Sequence, residues 1–395
     1  MSPALLSLLV VVFVDMLGFG MVIPVMALYA ERLGASPSQT GWLMASYSVM
    51  QFAFAPLWGR LSDRYGRRPL LLVSIVMTSV AFFGYALAPT FGWLLVSRLF
   101  AGAATANIGI AQAYVADVTK PEDRAKGMGY IGAAFGMGFV FGPAMGGLLS
   151  GAYGLSAPGY AAGTLAAVNG VLAFFVLKEP ATHVIAQKKA RFAALLEELG
   201  KPGIRRIIVI YLLVVFAFAG MESTFALLSE HRYGLNAKEV GLVFFFIGLI
   251  IAVTQGALIG PLTRRYGERT LLVGGLLLQA LAFVLLPFMP GVPGLLLACT
   301  PLAAGSGLSN PALSALLSRS ARREDQGGTL GIGQSASALG RVLGPITGTF
   351  VFGELWMAGP YVGGAVIMLA MAALGATLRV PEARAVDPGG LESGS

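Results

Sequence analysis

Apolar residues run along this chain in blocks too long for a strand, separated by short punctuation of charge, glycine and proline. Cutting at that punctuation predicts twelve spans, near residues 4–30, 39–58, 69–88, 92–113, 127–150, 158–178, 205–229, 237–259, 270–288, 293–317, 328–352 and 357–379. A helix needs roughly 20 residues to cross a hydrocarbon core of about 30 Å, and each block supplies close to that. Open strands cannot satisfy their backbone in lipid, and the blocks are too long for barrel strands, so all twelve read as helices.

The pattern also repeats. GRLSDRYGRRP, a charged and glycine-bearing turn from Gly59 to Pro69, returns as GPLTRRYGERT from Gly260 to Thr270. Gly20-Met21, Arg32 and Gly34 recur as Gly220-Met221, Arg232 and Gly234; Glu122-Asp123 recurs as Glu324-Asp325, and Gly142-Pro143 as Gly344-Pro345. A parallel duplication at nearly constant offset predicts two related halves that rock around a shared midplane site. The fold class expected is therefore an all-α membrane protein of twelve transmembrane helices in two pseudo-symmetric six-helix bundles. The domains expected are a first bundle over 1–178, a cytoplasmic linker over 179–204, a second bundle over 205–379 and a disordered tail over 380–395.

Composition agrees with a bilayer solvent. Apolar residues make up 56% and charged residues 12% of the 395, and mean hydropathy is +0.77, whereas soluble domains are about 45–50% apolar and about 25% charged. The single cysteine, Cys299, excludes an internal disulfide and a thiolate metal cluster. The net charge of +8 falls between spans rather than on one face, which argues for topology rather than nucleic acid. Arg98 and Arg341 lie inside spans, and Arg32, Arg232 and Lys238 lie in loops on the exit side of the first span. The remaining Lys and Arg share the opposite side, which the positive-inside bias makes cytoplasmic together with both termini. The first span lacks a basic leader region and a small-residue cleavage site, so it is expected to be retained. The linker's Lys188, Lys189, Arg191, Glu197, Glu198 and Lys201 fit an amphipathic helix at the cytoplasmic surface.

Twelve spans, a long central loop and GRLSDRYGRRP between spans two and three together resemble the major facilitator superfamily over nearly the whole chain. Within that resemblance DMLGFGMVIPV (Asp15 to Val25), SRLFAG (Ser97 to Gly102) and GFVFGPAMGG (Gly138 to Gly147) are similar to the twelve-span drug:proton antiporters, the tetracycline-resistance exporters among them. The resemblance implies proton-coupled export of drugs across a bacterial inner membrane, and with it antibiotic resistance. It implies a cytoplasmic gate at Gly59, Asp63, Arg64, Gly66, Arg67 and Arg68, with Asp63 meeting span eleven and Arg67 pairing with Asp117 at the end of span four. It also implies an antiporter helix motif at Gly138, Gly142, Pro143, Gly146 and Gly147, whose small residues let helices approach closely. A carboxylate at Asp63 would be favoured beside a helix N-terminus, but its repeat position is Arg264, so the latch is expected to be asymmetric. Where the tetracycline exporters carry acids in spans three and nine, this chain has Ala81 and Gln279, which puts tetracycline itself in question.

Two carboxylates lie well inside spans, Asp15 in the first and Glu222 in the seventh, with Arg98 and Arg341 as cationic counterparts. Each costs at least ~2.5–3.5 kcal/mol to insert, so each should face a wet cavity or a partner. Both histidines, His183 and His231, are expected in loops, which leaves proton coupling to Asp15, Glu222 or both. A carboxylate whose neighbours alternate between an apolar wall and an arginine can load and release a proton; a fixed buried ion pair is the other reading. The substrate cavity is expected to draw on Gln51, Asn107, Gln112, Gln255, Asn310 and Gln334, with Phe19, Tyr47, Phe218 and Phe225. An apolar pocket with few polar groups suits an amphipathic organic molecule.

The leading expectation is thus an antiporter exporting amphipathic small molecules, driven by a proton gradient with no cofactor and no metal. The alternative is a facilitator or symporter of an anionic metabolite or lipid, held by Arg98 and Arg341. No Walker sequence or HExxH pattern is present, so ATP-driven and ordinary enzymatic readings lack their residues. One chain holds both halves, so a monomer is expected.

Overall fold

The structure, a computed structural model, describes residues 3–105, 107–118, 124–179, 201–320 and 326–378. The first half comprises α1 (Pro3–Arg32), α2 (Pro37–Tyr65), α3 (Arg67–Ala86), α4 (Phe91–Ala104), α5 (Asn107–Val118), α6 (Arg124–Tyr153) and α7 (Ala157–Val176). The second comprises α8 (Pro202–Tyr233), α9 (Ala237–Val253), α10 (Ile259–Leu285), α11 (Gly291–Ser320), α12 (Gln326–Phe350) and α13 (Gly359–Ala376), with π-helical turns at Thr254–Leu258 and Val351–Leu355.

Nine stretches of the described residues are long and apolar enough to cross a membrane. The longest, Ala237–Leu285, is two crossings, because Gly267 leaves helical geometry at φ 77°, ψ 160°. With α2 and α12, which are too polar to register by composition, the bundle has twelve. Their polarity has a structural reason: α2 packs against α12 across the two halves, so neither is surrounded by lipid.

The duplication is visible in how helices begin. Ser36 and Asn236 each cap the helix that follows: their side chains accept from the backbone N–H of Gln39 and Glu239, whose side chains accept in return from the cap residue's N–H. Such a reciprocal cap satisfies two of the donors that a helix start leaves free. Gly34 and Gly234, both at positive φ, close the preceding helices.

Three expectations change. GRLSDRYGRRP is not a turn: α2 runs through Tyr65 and α3 begins at Arg67, so the corner is Gly66 alone, at φ 101°. Span four is not one helix but α4 and α5, parted after Ala104. His231 lies in the last turn of α8 rather than in a loop. His183, the amphipathic helix expected in the linker and the tail from 380 lie outside the described residues.

Close backbone crossings recur in both halves. A β-carbon on Gly142 of α6 would lie 2.7 Å from Gly20 Cα of α1, and one on Gly348 of α12 the same 2.7 Å from Gly220 Cα of α8. Between the halves, a β-carbon on Gly41 would lie 2.7 Å from the Pro345 carbonyl oxygen, and one on Gly241 2.6 Å from that of Pro143. Gly41 and Gly241 are repeat positions, as are Pro345 and Pro143. These contacts gather at the end remote from the GRLSDRYGRRP corner, where Glu31 Oε1 also meets His231 Nε2 at 2.9 Å, joining α1 to α8. Toward the corner, the helices that cross so closely leave Phe52, Met137 and Gln334 exposed, and the π turn exposes Gln255. The two halves meet at the Glu31–His231 end.

Candidate functional site

Span four breaks where the first half carries its charge. The end of α4 leaves carbonyls without helical partners, and these find donors on other helices: Trp58 Nε1 donates to Ala103 O at 2.7 Å and Ser74 Oγ to Ala104 O at 2.6 Å. Thr105 folds back, its N–H and hydroxyl both donating to Ala101 O, and the Tyr47 hydroxyl donates to Thr105 Oγ1 at 3.0 Å. The break is therefore fully supported, at a point one turn beyond Ala101 and two beyond Arg98.

A recess of about 10 Å³, room for a single water, opens there between α1, α2, α3 and α4. Asp15, Phe19, Tyr47, Thr78, Arg98 and Thr105 line it. Arg98 is 5% exposed and its guanidinium carbon sits 4.6 Å from the Tyr47 ring centroid and 6.0 Å from that of Phe19. The two rings are 5.2 Å apart and tilted. Cation–π contact partly compensates a desolvated guanidinium, yet its Nε has no hydrogen-bond partner.

The second half has a recess of its own, about 30 Å³, in which Glu222 is surrounded by Phe218, Phe225, Phe244, Ile247 and Leu302. Phe225 and Phe244 meet edge to face at 5.2 Å. Arg341 on α12 is exposed and within electrostatic range of Glu222, of Tyr211 and, across the halves, of Tyr47. Tyr47 thus carries Arg98 on its ring and has Arg341 of the other half within electrostatic range.

The structure therefore gathers Asp15, Phe19, Tyr47 and Arg98 into one recess and Glu222, Phe218 and Phe225 into another. It does not bring the expected amides into either. Gln51 is half-buried, while Gln112, Gln255, Asn310 and Gln334 are exposed, with Asn310 donating to Ser306 Oγ at 3.1 Å. The Asn107 side chain lies outside the described residues. Gln279, at the position where an acid was expected, is buried and donates to Ser309 Oγ at 2.8 Å.

At the corner, Arg67 is buried and binds Asp63 Oδ1 at 2.7 Å, Asp117 Oδ2 at 3.0 Å and Ser62 Oγ at 2.7 Å. Asp63 pairs here within its own corner. Arg64 stacks on Tyr65 beside it, and Gly59 has open space where a side chain would go. Arg68 donates to Phe174 O, and its repeat, Arg269, donates to the equivalent Ala376 O. The sequence reading missed Glu179, which it assigned to the linker. Its carboxylate takes the N–H groups of Arg67 and Arg68 at 2.6 and 2.9 Å, capping α3, and a β-carbon on Gly66 would fall 2.8 Å from it. A long-range cap of this kind leaves no local sequence signature.

The asymmetry expected from Arg264 takes a definite form. Arg67 and Asp117 have Glu268 and Arg319 as their repeat positions, and these pair at 3.0 Å. The same bridge is made with its polarity reversed. In the fifth-span motif, Gly138, Gly142 and Gly146 receive the α1 backbone, whereas Gly147 receives Gly241 from the opposite half.

Two related six-helix bundles with a charged recess in each define a transporter of small molecules that works by alternating access. The chain belongs to the Major Facilitator Superfamily, whose family model matches residues 8–258 and 233–393. It is 33% identical over 367 residues to the class C tetracycline resistance protein of Escherichia coli, covering 89% of this chain and 90% of that one. It is 30% identical over 348 residues to multidrug resistance protein 2 of Bacillus subtilis, covering 86% of each. Among solved structures it is similar to the human organic anion transporter MFSD10 (TETRAN), with a TM-score of 0.70, 25% identity and coverage of 94% and 99%. The protein is an integral membrane protein.

Proposed function

We propose that this transporter is a proton-coupled exporter of amphipathic organic molecules in a bacterial inner membrane, with both termini cytoplasmic. The observation that carries the reading is Glu222, a carboxylate walled by phenylalanines on one side and within electrostatic range of Arg341 on the other. The apolar wall favours the neutral acid, and Arg341 or water reaching the recess favours the anion. The wall and Arg341 both lie in the second half, so rocking of the halves acts by opening and closing water access to the recess rather than by exchanging these neighbours. Asp15 beside Arg98 is the corresponding group of the first half. Relatives named for tetracycline and multidrug resistance support export as the direction. The Arg67 bridges at the corner belong to the side that faces the cytoplasm, where Lys and Arg are concentrated.

The test is transport of lipophilic dyes and drugs into proteoliposomes with and without an imposed pH gradient. Gradient-dependent movement is expected for the wild type and its loss for Glu222→Gln. Movement indifferent to pH in both would overturn proton coupling and leave a facilitator.

A further inference from the structure

We propose that the break in span four is a binding subsite for an acidic group of the transported molecule, a carboxylate or a comparable oxyanion. This rests on the transport reading and narrows its substrate class to amphipathic acids. Arg98 is 95% removed from solvent by its 5% exposure, and its planar face is occupied by Tyr47 while its Nε is left without an acceptor. The ion pairs among the described residues engage Arg67, His231 and Arg319, and none engages Arg98. A guanidinium held at membrane depth with a donor unused is costly unless something brings an acceptor to it.

Three further features suit an oxyanion at that point. The recess beside Arg98 includes the Thr105 and Thr78 hydroxyls, and the Thr78 hydroxyl is itself buried and without a partner. α5 begins two residues after Thr105, so its N-terminal end, with the positive end of its dipole, opens beside the recess. Arg341 from the second half is within electrostatic range of the same Tyr47 and adds a second positive charge on that side. Phe19 and Tyr47 supply an aromatic surface for the apolar body. Asp15 lines the recess too, and its carboxylate repels an incoming acid; removing its charge by Asp15→Asn is expected to tighten acid binding.

The experiment compares 1-naphthylacetate with its neutral isostere, 1-naphthylacetamide, for binding to the purified full-length protein. A charge-assisted hydrogen bond contributes about 1.5–3 kcal/mol, so the acid is expected to bind at least about tenfold tighter. Arg98→Gln should bring the ratio near one while leaving amide binding in place, Arg98→Lys should keep most of it, and Arg341→Gln should lower it several-fold. Equal binding of acid and amide by the wild type overturns the proposal, as does an undiminished ratio in Arg98→Gln. If Arg98→Gln does not fold, the wild-type ratio and Arg98→Lys still decide. Gradient-driven dye transport by a wild type that ignores the acid would sink this subsite and leave the export reading standing; acid preference without gradient dependence would do the reverse.

Discussion

Arg67 shows what one charged residue does at a helix corner. Its guanidinium holds the end of α2 through Asp63 and Ser62, and the end of α5 through Asp117, while its own N–H is held by Glu179 from beyond α7. Arg67 and Asp117 side chains are 7% and 5% exposed, so removing Asp117 costs a buried charge-assisted hydrogen bond, although Asp63 still pairs with Arg67. Asp117→Ala is expected to destabilise by about 1.5–3 kcal/mol, read as a lower melting temperature in detergent. The reversed pair behaves differently, because Arg319 is 52% exposed and solvent screens it, although Glu268 is 11% exposed. Glu268→Arg alone should cost no more than about 1 kcal/mol, and the double swap Glu268→Arg with Arg319→Glu should recover it. A double swap no better than the single would show that the two residues do not act as a pair.

Helix pairs carry the next level of organisation. The α1–α6 and α8–α12 crossings are built on glycine, because a β-carbon at Gly142 or Gly348 would overlap the facing backbone at 2.7 Å. These crossings lie within halves and move as units. Gly142→Leu is therefore expected to prevent folding of the first bundle, seen as loss of a monodisperse peak on size-exclusion chromatography. Gly41 and Gly241 sit instead on surfaces that must separate and rejoin. Gly41→Val should leave each bundle intact while blocking closure at the Glu31–His231 end. In a Cys299→Ser background, a cysteine at Ser38 should then label faster than in the unblocked protein. Unchanged labelling would mean that this crossing does not set closure.

Across the whole molecule, closure at one end joins glycine crossings, those at Gly41, Gly241, Gly147 and Gly353 among them, to polar contacts between the halves: Ser38 with Glu354 at 3.5 Å, and the Glu31–His231 pair, whose side chains are 38% and 35% exposed. A partly exposed pair contributes modestly, so Glu31→Gln should shift the balance between states rather than unfold either. Spin labels on α1 and α8 at that end should report a larger share of separated distances. The sequence alone determined the twelve crossings, the duplication and the four charges within the spans, of which Asp15 and Arg98 are buried, because lipid imposes length and hydropathy on the spans and a repeat preserves spacing. It could not show that span four divides, since weak helix formers such as Gly102, Thr105, Asn107 and Gly109 also occur in unbroken spans, and the break is held by Trp58, Ser74 and Tyr47 from other helices. Nor could it show that Glu179 caps α3, that Glu268 and Arg319 repeat the Arg67 bridge with inverted charge, or that Arg98 packs on the Tyr47 ring. Each of these depends on residues far apart in the chain, and only packing of the helices decides which of them meet.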